Sequence, residues 1–246
     1  MSVTSRSTTV LESGRERLRV GPWRGDPETA YLNPVPGSPL PSAEFIRRCL
    51  RTLARQGYRR VVTGALSPSE QSAFRAVGFA VTENLHLLSH DLRNVPAVEP
   101  PDGLLRRSAR RDREAILDLD RLAFDPFWRL DEVGLDEAVG ATPHTRFRVA
   151  VDRRDPELVI GYAITGRAGR RGYLQRLAVH PDQQRNGLGT ILVADALRWL
   201  RRWRAERAMV NTQLANDPAL SLYERVGFRR EPSGLSVLAR ELDAPA

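Results

Sequence analysis

Residues 184–189, Gln-Arg-Asn-Gly-Leu-Gly, stand between GYLQRLAVHP, which reads as a strand, and an apolar run at helical spacing that continues to Leu200. The helix opens with two glycines in a polar turn and no Ser or Asp cap. Its first amides therefore have no partner of their own, and its start carries about half a positive charge. Glycines also let a ligand approach the backbone closely. Such a junction is either an ordinary tight turn or a cradle for a phosphate-bearing ligand. It is not a P-loop, because no Gly-Lys-Ser/Thr is present, nor a dinucleotide fingerprint, which needs a third glycine.

The pattern around this junction is that of an α/β protein with a mixed sheet. The first forty residues carry few structure signals, and NPVPGSPLPS is a proline-rich connector. A helix is expected over Ala43–Gln56, a strand over Tyr58–Leu66, a short helix over Ser67–Phe79 closing at Gly78, and a strand from Ala80 to Leu92. NVPAVEPPDG, residues 94–103, reads as a linker and places a domain boundary near residue 100. Beyond it come a short strand at Leu104–Ser108 and a helix in which Ile116, Leu119, Leu122 and Ala123 share one face. A weaker helix at Leu130–Gly140 and three successive strands lead to the glycine turn. In the helix after the turn, Leu192, Val193, Ala196, Leu197, Leu200 and Trp203 form one apolar face. The strand AMVNTQLA, the helix NDPALSLYERVGF and the strand GLSVLAREL close the sequence. The expected organisation is an N-terminal domain over residues 1–100 and a second domain over residues 101–246.

Composition narrows the function. The 246 residues carry a formal net charge of +8, and every one of the 38 Lys+Arg positions is arginine. Arginine keeps its charge when partly buried and grips phosphate with two N–H groups. The charge excess suits an acidic partner or cofactor. The arginines are scattered, however, and aromatic residues are not interleaved as a nucleic-acid stacking surface requires. Cys49 is the single cysteine, so neither an internal disulfide nor a cysteine metal cluster can form. Its neighbours at helical spacing make it a small buried hydrophobe. No apolar stretch is long enough to span a membrane, and no apolar signal segment opens the sequence. The expectation is a cytoplasmic protein with no metal.

The sequence also echoes itself. SAFRAVGF and SLYERVGF repeat with a constant offset of 149, which places Phe74 on Tyr223 and Gly78 on Gly227. Each block lies between two strand-like runs, so duplication explains the match better than chance. The first copy lacks the glycine turn.

With these residues in view, the sequence resembles the GNAT superfamily of acetyl-coenzyme A-dependent N-acetyltransferases. Gln184 to Gly189 matches the family signature Gln/Arg-x-x-Gly-x-Gly/Ala. Asn216, Ala219, Leu222, Tyr223, Gly227 and Phe228 match a second signature in spacing and identity. The resemblance runs from Gly103 to Leu242, whereas the N-terminal part resembles only the back half of such a domain. It implies a GNAT-type mixed sheet flanked by helices, preceded by a partial, degenerate GNAT-like domain. It further implies that the amides of Arg185, Asn186, Gly187, Leu188, Gly189 and Thr190, together with Gln184, hold the coenzyme A pyrophosphate. Leu177 and Val179 would hydrogen-bond the pantetheine arm through their main chains. Tyr223 becomes the general acid, against packing as its alternative, and Asn216 either contacts the cofactor arm or caps its helix.

Many family members place a glutamate base on the fourth strand, where this sequence has Gln175, which accepts no proton at neutral pH. Asp131, Glu132, His144 and His180 are the other candidates, and none is assigned. The resemblance thus points to direct acetyl transfer from acetyl-coenzyme A to a primary amine, of a small molecule or of a peptide or protein N-terminus. Two alternatives stand beside it: an acyl-coenzyme A-responsive regulatory or nucleic-acid-associated protein, and a tandem GNAT enzyme similar to mycothiol synthase. The acceptor would meet the first two helices and the loops around Phe127, Trp128 and His144.

Overall fold

The computed structural model describes residues 8–242. The chain forms two compact units. One takes in the described residues up to His86 and those from Pro232 onward, and the other runs Leu87–Glu231. The chain therefore passes from the first unit to the second and back, and the expected boundary near residue 100 lies inside the second unit. Residues 94–103 form no helix or strand, as the prolines require. They are nonetheless pinned within the second unit, where the Arg198 guanidinium donates to the carbonyls of Pro96 and Val98.

The first unit opens with strands where few signals stood. β1 (Thr9–Ser13), β2 (Glu16–Trp23) and β3 (Asp26–Pro34) form an antiparallel meander. β2 alternates at its start, with Leu18 and Val20 buried and Arg17 and Arg19 exposed, whereas β3 buries Thr29 to Leu32 in succession. α1 (Ala43–Arg55) buries Phe45, Ile46, Cys49, Leu50 and Leu53. Burial pushes the Cys49 thiol up to about 11, which fits a packed and inert side chain. β4 (Arg60–Val62) pairs parallel with β3. α2 (Pro68–Arg75) follows, and β5 (Ala80–His90) runs out of the first unit into the second. β12 (Leu235–Glu241), the last strand of the sequence, lies between β4 and β5. The first unit thus contains a meander, a helix, a parallel strand, a second helix and a final strand.

In the second unit, β6 (Leu105–Arg107), β7 (His144–Val151), β8 (Val159–Ala168) and β9 (Arg171–Val179) are consecutive antiparallel neighbours. β10 (Arg207–Gln213) joins β9 in parallel. β11 (Arg229–Arg230) pairs with the end of β5 through Leu88 and Ser89. α3 (Arg113–Ala123) and α4 (Glu132–Gly140) pack with Val149, Tyr162 and Ile164. α5 (Leu188–Arg202) packs with Ala163, Leu174 and Val210, and α6 (Asp217–Val226) follows β10. Two sequence expectations shift here. Leu122 is 60% exposed and Asp120 takes the inward position on α3, while Trp203 lies just past the end of α5 and is 51% exposed. No helix among the described residues is long and apolar enough to cross a membrane.

Candidate active site

β9 and β10 are paired over three residues only, from Arg171↔Arg207 to Tyr173↔Met209. β9 continues to Val179 and β10 to Gln213, so from Leu174 onward the β9 edge turned toward β10 has no ladder partner. Leu177 and Val179 lie on this stretch, half-buried, with Ala163 and Gly161 as their partners on the β8 side.

The chain leaves β9 through a short 3-10 turn, Pro181–Gln183, capped by the His180 side chain. The Gln184 side-chain Nε2 donates to the Val179 carbonyl at 3.3 Å and closes the approach to the glycine turn. Arg185 and Gly187 both have left-handed backbones, with φ of 61° and 81°. No side chain caps α5. Around Gly187 nothing lies within 4 Å of where a Cβ would sit. Its flanking residues Arg185 and Asn186 are exposed, whereas Leu188 is buried. The two glycines differ in purpose. Gly187 supplies the left-handed reversal in open space. A Cβ on Gly189 would lie 3.0 Å from Leu222 of α6, so Gly189 lets α5 approach α6 and is not a surface for a ligand alone.

α6 begins at Asn216, whose side chain accepts from the Ala219 amide at 3.1 Å. The capping role of Asn216 is thus present. Tyr223, two turns on, is 6% exposed and shares a cluster with Leu174, Leu188, Val210, Leu220 and Phe228. Burial pushes its phenol well above the usual tyrosine range, and the Arg176 charge works against that shift. Tyr223 is therefore a neutral donor at any physiological pH.

Arg176 was not singled out from the sequence, nor was Asp120. Its guanidinium makes two 2.8 Å bonds to the Asp120 carboxylate and one of 2.7 Å to the Trp128 carbonyl. It also stacks on Phe124. Asp120 is fully buried and further accepts from the Tyr162 hydroxyl and the Leu130 amide. The network ties α3, β8, β9 and the aromatic loop FDPFW together, so part of that loop is held by Arg176. A lone Asp within the apolar stripe of α3 was the signal in the sequence.

A β-bulge in the β8–β9 ladder, between Ile164/Thr165, leaves Gln175 without a ladder partner. Gln175 lies over Gly166, where any Cβ would come 2.7 Å from its amide nitrogen and 2.3 Å from the Thr142 hydroxyl. Its side-chain oxygen is buried with no hydrogen-bond partner among the described residues. Bulges of this kind re-aim side chains and cluster beside active sites.

The four carboxylate and imidazole candidates are engaged elsewhere. Asp131 caps α4 by accepting from Gly134, and Glu132 is bound by Arg113. His180 caps its own 3-10 turn, and the His144 ring stacks with Trp203. Among the described residues no cluster of His, Cys, Asp or Glu could hold a metal ion.

Residues 113–228 match the acetyltransferase (GNAT) family. The mycothiol acetyltransferase of Acidothermus cellulolyticus is 31% identical over 201 residues, which is 72% of this chain and 61% of that protein. Human N-alpha-acetyltransferase 30 is 40% identical over 62 residues, 25% of this chain and 17% of that one. The chain thus spans less than two thirds of the length of either relative. A tandem GNAT protein from the clavulanic acid biosynthesis pathway shares the fold with a TM-score of 0.70 at 15% identity, covering 100% of this chain and 86% of that one. The chain carries a GNAT acetyltransferase domain over residues 113–228.

Proposed function

We propose that this chain is an acetyl-coenzyme A-dependent N-acetyltransferase acting on a primary amine. Residues 101–246 would carry the catalytic machinery, and the N-terminal residues would form a degenerate GNAT-like domain without a site of its own. The observation that carries the reading is the start of α5, which has left-handed Arg185 and Gly187, no side-chain cap, and open space in front of the backbone. Successive amides turned to one side at a helix start suit a diphosphate. The residues of the turn therefore fit the cofactor's most highly charged part.

In this reading the amides of Arg185 to Thr190 hold the diphosphate, with Gln184 bracing the turn. The unpaired edge of β9 at Leu177 and Val179 takes the amide-bearing arm as an added strand would. Asn216, its oxygen used as a cap, has an amide nitrogen left to offer that arm. Acetyl-coenzyme A, when bound, supplies an acetyl group activated as a thioester. The acceptor nitrogen forms the new bond to the acetyl carbon as the carbon–sulfur bond breaks, and it loses one proton. The Tyr223 hydroxyl hydrogen-bonds the departing sulfur and gives it a proton, which the proton lost by the amine restores to the phenol through water, so that an amide and a free thiol result. Gln175 cannot take the amine's proton. Its unpartnered oxygen can accept a hydrogen bond from that nitrogen, and the proton then leaves through water.

Isothermal calorimetry with acetyl-coenzyme A tests the reading, and binding at micromolar concentration is the expected result. A thiol-release screen over peptides with a free α-amino group, small amines and aminoglycosides then identifies the acceptor class. No heat with acetyl-coenzyme A on folded protein would remove the assignment.

A further inference from the structure

His90 is the last residue of β5 and belongs by sequence to the N-terminal part, yet it lies within the second compact unit. It is 3% exposed. Its Nδ1 accepts a hydrogen bond from the Leu92 amide at 2.9 Å. Leu92 has a left-handed backbone with φ of 61° and is itself buried. The left-handed region is unfavourable for leucine, so this bond and the burial around it hold a turn the chain would not adopt unaided. The turn in turn fixes the ring.

The other edge of the ring meets the end of α6. Gly227 reverses the chain there with φ of 106°, and a Cβ on it would lie 3.0 Å from Nε2 of His90. With Nδ1 accepting, Nε2 carries the ring's proton. It presents that donor to the carbonyl end of a helix, where a donor is favoured. The imidazole packs on Phe228 with ring centroids 5.2 Å apart, and Phe228 packs on Tyr223 at 5.7 Å. The Phe228 amide also donates to the Tyr223 carbonyl at 3.0 Å. The closing bond of the helix is therefore made by Tyr223 itself.

The first unit repeats the arrangement with other residues. There Gly78 reverses the chain with φ of 88°, and the Phe79 amide donates to the Phe74 carbonyl at 3.1 Å. The side chain that meets this helix end is Arg240 of β12, which donates to the Val77 carbonyl. Val77 corresponds to Val226 at the offset of 149. At both helix ends a side-chain nitrogen arrives from a strand of the other half of the sequence.

From this geometry we infer that His90 is a positioning residue for Tyr223, acting through the closed end of α6. The N-terminal part of the sequence then has a stated task in the second unit: it delivers the imidazole that locks the helix carrying the candidate acid. The position of Tyr223 stands apart from the acetyl-transfer reading, and only its catalytic consequence rests on that reading.

The test uses the full chain with 13C-labelled tyrosine, the Tyr223 ring signal being assigned by its loss in Tyr223→Phe. His90→Phe keeps the ring packing and removes both nitrogens, and it should move the Tyr223 signal beyond its linewidth. His90→Gln, which can both accept and donate, should return it toward the wild-type position. Calorimetry should show acetyl-coenzyme A affinity within twofold of wild type in both variants. An unmoved Tyr223 signal in His90→Phe overturns the inference, as does a Gln variant displaced as far as the Phe variant. Failure of the wild-type protein to bind acetyl-coenzyme A would remove the enzymatic reading while leaving this outcome readable.

Discussion

The two units build the same sequence of elements around a helix start, and they finish that start in opposite ways. In the first unit, Ser42 caps α1 by accepting from the Phe45 amide at 3.2 Å. The Glu16 carboxylate then takes both the Ser42 amide, at 2.6 Å, and its hydroxyl, at 3.1 Å. The Ser42 and Phe45 amides are thereby engaged, and a negative charge stands where an anion would have to bind. In the second unit the same place has Gly187 and no side-chain cap. The parallel strand pairs differ in the same sense. β3 and β4 part after Tyr31↔Val62, and the Asn33 side chain at once bridges the opening to the Gly64 amide. β9 and β10 part after Tyr173↔Met209, and Gln175, also two residues past the last pair, leaves its oxygen without a partner. One helix start is filled by side chains of its own unit, and the other carries no side-chain cap.

The helix that follows sharpens the contrast most. Phe74 and Tyr223 occupy the same post, each one ring away from the phenylalanine after its glycine. If the second unit is the working one, Tyr223→Phe makes it resemble the first. Turnover should fall by about 10²–10⁴, the usual contribution of a positioned proton donor. Acetyl-coenzyme A affinity should stay within twofold. Steady-state thiol release and calorimetry measure the two quantities, and unchanged turnover would return Tyr223 to a packing role.

The second unit also has a layer that the described residues of the first lack: α3 and α4 ahead of its antiparallel strands. The Asp120–Arg176 pair fastens that layer. Asp120→Ala strands a buried guanidinium that is 9% exposed, and it should cost about 3–5 kcal/mol. Denaturant unfolding followed by tryptophan fluorescence, with Trp128 next to the break, reads this loss. A cost below about 1 kcal/mol, the size of a surface pair, would mean that the pair does not hold the layer.

Much of this comparison was legible in the sequence, and the rest was not for identifiable reasons. α1, α5 and α6 announce themselves because each buries one face of a periodic run, and the glycine turn is local. The echo of SAFRAVGF in SLYERVGF correctly paired the two helix ends. The meander β1–β3 was missed because arginines alternate with Leu18 and Val20 and Pro22 interrupts the run, so its strands look like polar connector. Its Arg24–Gly25 hairpin turn has φ of 48° and 77°, and arginine is an unusual residue for that conformation. The site's buried polar groups were hidden for another reason. Asp120 meets Tyr162 and Arg176 across separations of 42 and 56 residues, and no local pattern records such a meeting. The return of the last strand to the first unit is likewise a matter of pairing, which composition does not encode.

The smallest expected effects test the contrast at its origin, the two helix starts. Gly187→Asp gives the second unit a carboxylate like that of Glu16. Nothing lies within 4 Å of the new Cβ, and aspartate tolerates a left-handed backbone better than most residues, so the fold should survive. Acetyl-coenzyme A affinity should fall about tenfold or more, or 1.4 kcal/mol, because a negative charge then faces the diphosphate. Ser42→Ala is the mirror experiment: it removes the cap from α1 and should cost about 0.5–2 kcal/mol of stability. It should leave acetyl-coenzyme A binding unchanged, because Glu16 still occupies that helix start. If Ser42→Ala weakened binding as much as Gly187→Asp did, the two helix starts would not be a closed site and an open one, and the division of labour between the units would fail.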